Sequence, residues 1–337
     1  MMDSHPFLIQ EHVSLKDKNW FKTGGSARYY CEPATAQEFQ QALTFAKHNA
    51  LEIFLLGEGA NVLINDAGFD GLVIHPKTVD PVIHPTQNGY GLVTCSAGLS
   101  MNILIEKTLD AHLTGLEVFS GIPGTVGGSA YINLHYFTHF LSDFIVSGHV
   151  IEKATGKVFE VDLNWFNYGY NKSTLIAGNH YLIDLTLRLT KGTEVDAAYA
   201  KGRRFEIIRH RTSRYPNANT CGSFFRNFYE NEVTIVKNGK KMIFVAFYLD
   251  KIGVKGTETS GGACVSYQHA NMLVTSETAT SQDVVNLART LQGKVWAEFG
   301  IIPQPECILV GFKTNPLLSE QSIAPVISTT SPEQQSV

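Results

Sequence analysis

Between residues 115 and 130 the chain reads GLEVFSGIPGTVGGSA, with glycine at 115, 121, 124, 127 and 128 and Pro123 fixing one turn. Residues without a Cβ leave backbone N–H groups exposed at close range to whatever lies opposite. Such a surface suits an anion, a diphosphate in particular. The spacing is not the dinucleotide fingerprint of a doubly wound sheet, because no G-x-G-x-x-G follows a strand and opens a helix. Taken alone, the stretch serves equally well as a set of tight turns.

A second glycine-rich stretch favours the ligand reading. Residues 53–74 read IFLLGEGANVLINDAGFDGLVI. The apolar run Ile53 to Leu56 enters Gly57-Glu58-Gly59-Ala60-Asn61. A second apolar run follows, then Gly68 and Gly71, then Leu72-Val73-Ile74. The pattern predicts strand, phosphate-sized turn, strand, turn, strand.

The chain has 337 residues, enough for two or three domains with cores of their own. A formal net charge of −4 gives no basic footprint, so no nucleic-acid partner is expected. No apolar run approaches the ~18 residues of a membrane span, so no membrane insertion is expected. The start, MMDSHPFLIQEH, lacks the basic region and apolar core of a secretory signal, which predicts a cytoplasmic protein. Cysteines at 31, 95, 221, 264 and 307 are odd in number and form no C-x-x-C. They read as reduced thiols rather than disulfides, and no metal site is expected. Residues 318–337 are rich in Ser, Thr, Gln and Pro and read as a disordered tail.

The remaining pattern is α+β. A turn at Thr23-Gly24-Gly25 leads to a strand from Ala27 to Cys31. Residues 35–49 predict a helix capped by Thr35, with Glu38 completing a capping box and Phe39, Leu43 and Ala46 on one face. A strand over 88–96 and a helix over 99–113, capped by Ser100, follow. A hairpin is expected over 144–162 with its turn at Thr155-Gly156, then a half-buried strand over 180–190. Residues 194–211 form a basic helical stretch, and 214–220, RYPNANT, a loop. Beyond 221 the pattern predicts strands over 233–237 and 242–245 around Asn238-Gly239, a helix over 281–299 and a last strand from Cys307 to Phe312.

LLGEGANVLINDAGFDGLVI and SGIPGTVGG resemble the two flavin-binding loops of the UDP-N-acetylenolpyruvoylglucosamine reductase (MurB) family, and the resemblance runs over roughly residues 10–315. The short stretch between Tyr170 and Ser223 is similar to the family's shorter subclass. The resemblance implies a two-part FAD-binding region of the vanillyl-alcohol-oxidase/PCMH type, followed by a smaller α+β substrate-binding domain. The parts are expected at 1–80, 81–200 and 201–317, ahead of the tail. It implies FAD as cofactor and NADPH as hydride donor. The implied substrate is a UDP-sugar, UDP-N-acetylglucosamine enolpyruvate, reduced to UDP-N-acetylmuramate for peptidoglycan. A monomer or weak dimer is expected. Cofactor-binding positions carried over are Gly57, Glu58, Gly59, Ala60, Asn61, Gly121, Ile122, Pro123, Gly124, Thr125, Gly127, Gly128 and Asn133.

The catalytic positions follow in the same way. TCGSFFRN, residues 220–227, matches the family segment whose serine protonates the substrate carbanion, here Ser223. A hydroxyl is a weak acid, so its neighbours must tune it or refill it. Glu306, in IIPQPECILVG, matches the family's active-site glutamate. Burial would keep such a carboxyl near neutral pKa. GGACVSYQHANMLV, residues 261–274, also matches, with Ser266, His269, Ala270 and Asn271 expected under the substrate and His269 expected to be structural.

Two segments depart from the family. Its Tyr-Arg-x-Ser segment reads YGYNKSTL here, residues 168–175, so that Asn171 stands where an active-site arginine is usual and Lys172 is the neighbouring cation. Its small residues after the second loop become Leu134-His135-Tyr136-Phe137-Thr138, following Asn133. His135 and His139 read as packing or surface residues, a covalent flavin link being the alternative. These departures leave open a flavin oxidoreductase of this fold with an altered substrate, or a catalytically silent flavin-binding module.

Overall fold

The structure is a computed structural model and describes residues 7–318. The first six residues of the presumed non-secretory start, and the expected tail from 319 onward, lie outside the described residues. The chain forms two units. One comprises residues up to 14, 26–60 and 69–213; the other comprises 15–25, 61–68 and the chain from 214 onward.

In the first unit, strands Ile9–Ser14, Ser26–Cys31, Phe69–Ile74 and Ile53–Leu55 form a four-stranded sheet in that order. Only the first pair is antiparallel. Parallel strands need a crossover, and helix α1, Ala36–His48, supplies it. Thr35 Oγ1 accepts the Glu38 N–H at 3.2 Å and the Glu38 carboxylate accepts the Thr35 N–H at 3.2 Å, closing the capping box. The face Phe39, Ala42, Leu43 and Ala46 is buried with Cys31, Leu72 and Ile74 of the sheet. Burying a side chain such as Phe39 or Leu43 is worth ~1.5–3 kcal/mol each.

The larger sheet of this unit is antiparallel, in the order Val158–Asp162, Ile145–Glu152, His180–Lys191, Tyr90–Ser96, Val82–Ile83, with Leu113–Thr114 beside His180–Lys191. The hairpin turn falls at Thr155-Gly156, where Gly156 has φ +70°. Helices α2, Met101–Asp110, and α3, Val126–Ile132, contribute Leu104, Ile105, Val126 and Ala130 to a core shared with Leu185 and Leu187 of the sheet. Helix α2 is shorter than the sequence pattern suggests, because Leu113–Thr114 leaves it to join the sheet. Ser100 occupies the N-cap position, yet its side chain makes no capping bond. The Met101 N–H donates instead to the Gly124 C=O at 2.9 Å, so the glycine-rich stretch at 115–130 caps α2.

Helix α4, Glu194–Arg214, buries only Ala197 and Ala200. It is tied to α2 by Lys201–Asp110 at 2.7 Å and Arg204–Glu106 at 2.6 Å. The helix runs unbroken through residue 200, where the sequence placed a domain boundary, and the last segment of the second unit starts at 214.

The second unit contains a three-stranded antiparallel sheet, Thr259–Ser260, Ala263–Val265 and Leu273–Thr275, and helices α5, Val245–Lys251, and α6, Ser281–Phe299. Thr280 and Asp283 form the capping box of α6, and Gly300 at φ +67° ends it. Its buried face, including Val284, Leu287, Leu291 and Val295, shares a core with Phe224, Phe225 and Tyr248. The turn Asn238-Gly239 is present, both residues at positive φ, but its strands shrink to Val236–Lys237 and Lys240–Lys241, and residues from 245 enter α5. Val62–Ile64 pairs in parallel with Ile308–Val310 of this unit and not with the strands flanking it in sequence. All three residues of that short strand are buried. Among the described residues no helix is long and apolar enough to cross a membrane.

Candidate active site

Within the first unit the two glycine-rich stretches meet. The Glu58 carboxylate accepts the Gly124 N–H at 2.8 Å. A Cβ on Gly57 would stand 2.7 Å from Thr125 Oγ1, so only glycine allows this approach. Thr125 Oγ1 accepts the Gly128 N–H at 3.2 Å and caps α3. Asn102, on α2, binds both sides of the loop: its Oδ1 accepts the Gly121 N–H at 3.1 Å and its Nδ2 donates to the Ile122 C=O at 3.3 Å. Arg211, on α4, donates to the Gly121 C=O at 3.2 Å. The Gly127 N–H is bonded to the Ala97 C=O at 2.8 Å.

The two stretches are therefore not equivalent. Gly121, Ile122, Gly124, Gly127 and Gly128 all donate their N–H groups within the chain. The N–H groups of Gly57, Glu58, Gly59 and Ala60 donate to no acceptor among the described residues. Four consecutive unpaired donors are a cradle for an anion. Glu58, whose charge would oppose one, is turned onto Gly124.

Asn61, the next residue, belongs to the second unit, where its C=O accepts the Ile308 N–H at 3.0 Å and its Nδ2 reaches the Glu306 C=O at 3.4 Å. The same unit brings Ser223 and Glu306 together through their backbones. Residues 223–226 lie between two segments. On one side Ser223 bridges Met272, and the Phe224 N–H donates to the Asn271 C=O at 2.8 Å. On the other side Phe225 bridges Pro305, and the Glu306 N–H donates to the Phe224 C=O at 2.9 Å. Asn271 locks this arrangement. Its side chain accepts the Phe225 N–H at 3.0 Å and donates to the Phe225 C=O at 2.8 Å. Ser223 is half-buried, and its hydroxyl has no hydrogen-bond partner among the described residues. Burial pushes the Glu306 carboxyl up to about 7. Ser223 thus precedes Phe224, whose C=O accepts the Glu306 N–H, so that an unbonded hydroxyl and a buried carboxyl of raised pKa stand on adjacent backbone segments.

The profile of the UDP-N-acetylenolpyruvoylglucosamine reductase C-terminal domain matches residues 214–310, and that of a FAD binding domain matches residues 27–162. The UDP-N-acetylenolpyruvoylglucosamine reductase of Synechococcus sp. (strain JA-3-3Ab) is 31% identical over 92% of this chain and 94% of its own. That of Gloeobacter violaceus is 31% identical over 90% of this chain and 96% of its own. This chain belongs to the UDP-N-acetylenolpyruvoylglucosamine reductase family. The crystal structure of the Thermus caldophilus UDP-N-acetylenolpyruvylglucosamine reductase has the same fold, with a TM-score of 0.70 at 25% identity, covering 90% of this chain and 100% of that one. The unpaired donors at 57–60 lie inside the matched FAD binding domain and fit a diphosphate.

Against this reductase framework, the other expected site residues take different places. Asn133 is buried and left-handed at the end of α3. Its Nδ2 donates to the Gly169 C=O at 3.2 Å and its Oδ1 accepts the Ser142 N–H at 3.1 Å, so its carboxamide is a brace. Pro123 follows Ile122 in the braced loop and has no N–H to offer. Lys172 is exposed, while Asn171 is half-buried with φ +49°. His139 is exposed, whereas His135 packs on Phe140 at 5.8 Å and on Tyr170 at 4.6 Å between ring centroids. His269 Nδ1 accepts the Asn271 N–H at 3.3 Å, and Ser266 Oγ accepts the Gln268 N–H at 3.0 Å. Ala270 is buried. Asn102 and Arg211 escaped the sequence reading. Periodicity predicts their helices, but nothing in it says which residue meets the loop.

Proposed function

We infer that this chain catalyses the NADPH-dependent, FAD-mediated reduction of UDP-N-acetylenolpyruvoylglucosamine to UDP-N-acetylmuramate in peptidoglycan precursor synthesis. The observation that supports the reading is that the unbonded Ser223 hydroxyl and the raised Glu306 carboxyl sit on adjacent, backbone-paired segments, in a chain that also has an unpaired donor cradle inside a FAD binding domain. The chemistry the flavin supplies is hydride transfer from NADPH to the substrate's carbon–carbon double bond.

The chain's own residues do the rest. The N–H groups of 57–60 hold the diphosphate of the cofactor, Asn102 and Arg211 hold the second loop in shape, and Gly57 admits the close approach to Thr125. Hydride addition leaves negative charge on the carbon next to the carboxylate, and that carbon must take a proton. Ser223 Oγ–H is the donor. With no internal partner, it can turn to the substrate at no cost in broken hydrogen bonds. Glu306, neutral below about pH 7, stabilises the developing enolate by donating a hydrogen bond from its own proton. Asn271 is a positioning residue, since both its bonds go to the Phe225 backbone.

The test is purification, a visible spectrum, and NADPH oxidation with and without the enolpyruvyl sugar nucleotide. Stimulated oxidation and formation of the muramate are expected. A yellow protein that oxidises NADPH but ignores this substrate points to the second reading, a flavin oxidoreductase with a changed substrate. Asn171 and His135 are the observations that favour that reading.

A further inference from the structure

Helix α4 turns its larger apolar side chains away from the rest of the chain. At about 3.6 residues per turn, Ala197, Ala200, Arg204, Ile207, Ile208 and Arg211 share one face, and all of them are buried or half-buried. The opposite face carries Val195, Ala198, Tyr199, Gly202 and Phe205, all exposed. Val195 is 62% exposed, Tyr199 77% and Phe205 66%. A surface helix normally points its apolar stripe at the core. Here a valine and two aromatic rings line up along the water side instead, and a row of that kind marks an interaction surface.

Gly202 lies at the middle of this outer face. Glycine inside a helix is destabilising relative to alanine, and nothing within the described residues calls for it, since a Cβ there would meet no atom within 4 Å. What the missing Cβ does allow is the close approach of a second backbone from outside.

Charge decides which surface fits. The first turn of α4 carries Glu194 and Asp196, and its last two turns carry Arg209, His210, Arg211 and Arg214. Arg209 is shared with Glu206 at 2.7 Å, and the end of the helix keeps a net positive charge. A second α4 laid antiparallel sets an acidic end against a basic end twice over, whereas a parallel one sets like charges together. Phe205 and Tyr199 stand on either side of Gly202 at equal spacing, so a two-fold axis at Gly202 brings each Phe205 level with the partner's Tyr199.

We propose that α4 is the contact through which two copies of this chain pair, antiparallel about a two-fold axis at Gly202. The helix is about 31 Å long and about 10 Å across. Its face therefore supplies roughly a few hundred Å², short of the ~800 Å² per partner of a standard interface. The dimer is weak, with a dissociation constant on the order of micromolar or above.

Sedimentation velocity of the holoenzyme, from low to high micromolar concentration, should show a monomer passing into a dimer. Phe205→Asp should weaken association at least about tenfold, with flavin content unchanged because the side chain lies on the exposed face. Gly202→Leu should also break the dimer, while the melting temperature at low concentration holds or rises, since leucine is the better helix former. A glycine required by the monomer's own fold would lower that temperature instead. Oxidation of a mixture of Val195→Cys and Arg209→Cys proteins should give the mixed disulfide dimer in excess over either like pair, because antiparallel helices set residue 195 beside residue 209. The proposal is overturned by a dimer that Phe205→Asp and Gly202→Leu leave intact, or by an excess of like-like disulfides. A wild type that stays monomeric over the whole range overturns it too; dimerisation on removal of residues 319–337 would then name the tail as the occupant of the face, and continued monomer would leave the face to a different protein.

Discussion

Glu306 sits where stability and catalysis oppose each other, and the size of the conflict can be worked out. Burial raises its carboxyl from 4.5 to about 7. The folded chain therefore holds a proton that the unfolded chain releases between those values. For a carboxylic acid with a raised folded pKa, the native state is unpenalised below about pH 4.5, loses stability as pH rises to about 7, and stays at the lower level above. Each pKa unit corresponds to ~1.4 kcal/mol, so the full penalty is about 3 kcal/mol. Glu306→Gln keeps the shape and hydrogen-bonding character and has no charge to bury. It should stabilise the protein by about 3 kcal/mol at pH 8 but only by about 1 kcal/mol at pH 5, where the wild-type group is already protonated in the fold. Its turnover should fall steeply at both pH values, because the amide has no acidic proton to offer. Urea unfolding of both proteins at pH 5 and pH 8, followed by the fluorescence of Trp20 and Trp296 in the second unit, makes the measurement. A stability difference that is the same at the two pH values, or a variant less stable than wild type at pH 8, would refute burial as the cause of the raised pKa.

Three further outcomes are expected. Ser223→Ala should leave flavin reduction by NADPH nearly intact and slow reoxidation by the enolpyruvyl substrate by ~10²–10⁴-fold, measured by stopped flow; wild-type reoxidation would remove the serine from the mechanism. Gly57→Ala drives a methyl into Thr125 Oγ1, and displacing that oxygen also loosens the cap of α3, a loss of ~1 kcal/mol. FAD should bind about tenfold more weakly in a fluorescence titration, and an unchanged dissociation constant would show that the loops tolerate separation. Asn271→Ala leaves the buried Phe225 N–H and C=O unpaired, at ~1–3 kcal/mol each, so it should lower both the melting temperature and kcat; loss of neither would mean the brace is redundant.

Much of this molecule was legible before any coordinates. Local signals were the most dependable. The capping box at Thr35, the turn at Thr155-Gly156 and the alternation over 180–190 each concern residues a few positions apart, whose interaction energies are decided within one turn or one strand. The family motifs likewise pointed to Ser223 and Glu306, and the structure brings the two segments to the opposite faces of Phe224, one through the chain and one through the Glu306 N–H. Less legible were elements whose fate depends on distant partners. Val62–Ile64 sits in a run that reads as three neighbouring strands, yet it pairs with Ile308–Val310. Residues 242–245 have strand-like composition, but Val245 opens a helix whose buried residues Val245, Tyr248 and Leu249 share a core with α6.

The sequence by itself determined the α+β pattern, the glycine positions and the chemical types available for the reaction, because these follow from backbone stereochemistry and from the ionisable groups a side chain carries. Only the tertiary structure decided which of those groups are bonded within the chain and which are left free. It left the N–H groups of 57–60 without an acceptor among the described residues while those of Gly121, Ile122, Gly124, Gly127 and Gly128 found one, raised the Glu306 carboxyl by burial, and bonded the Asn133 carboxamide to Gly169 and Ser142. It also left His135, Tyr168 and Asn171 with buried atoms that have no hydrogen-bond partner among the described residues. Desolvation and hydrogen-bond saturation are set by what folds over a residue from far along the chain, and no local pattern records that.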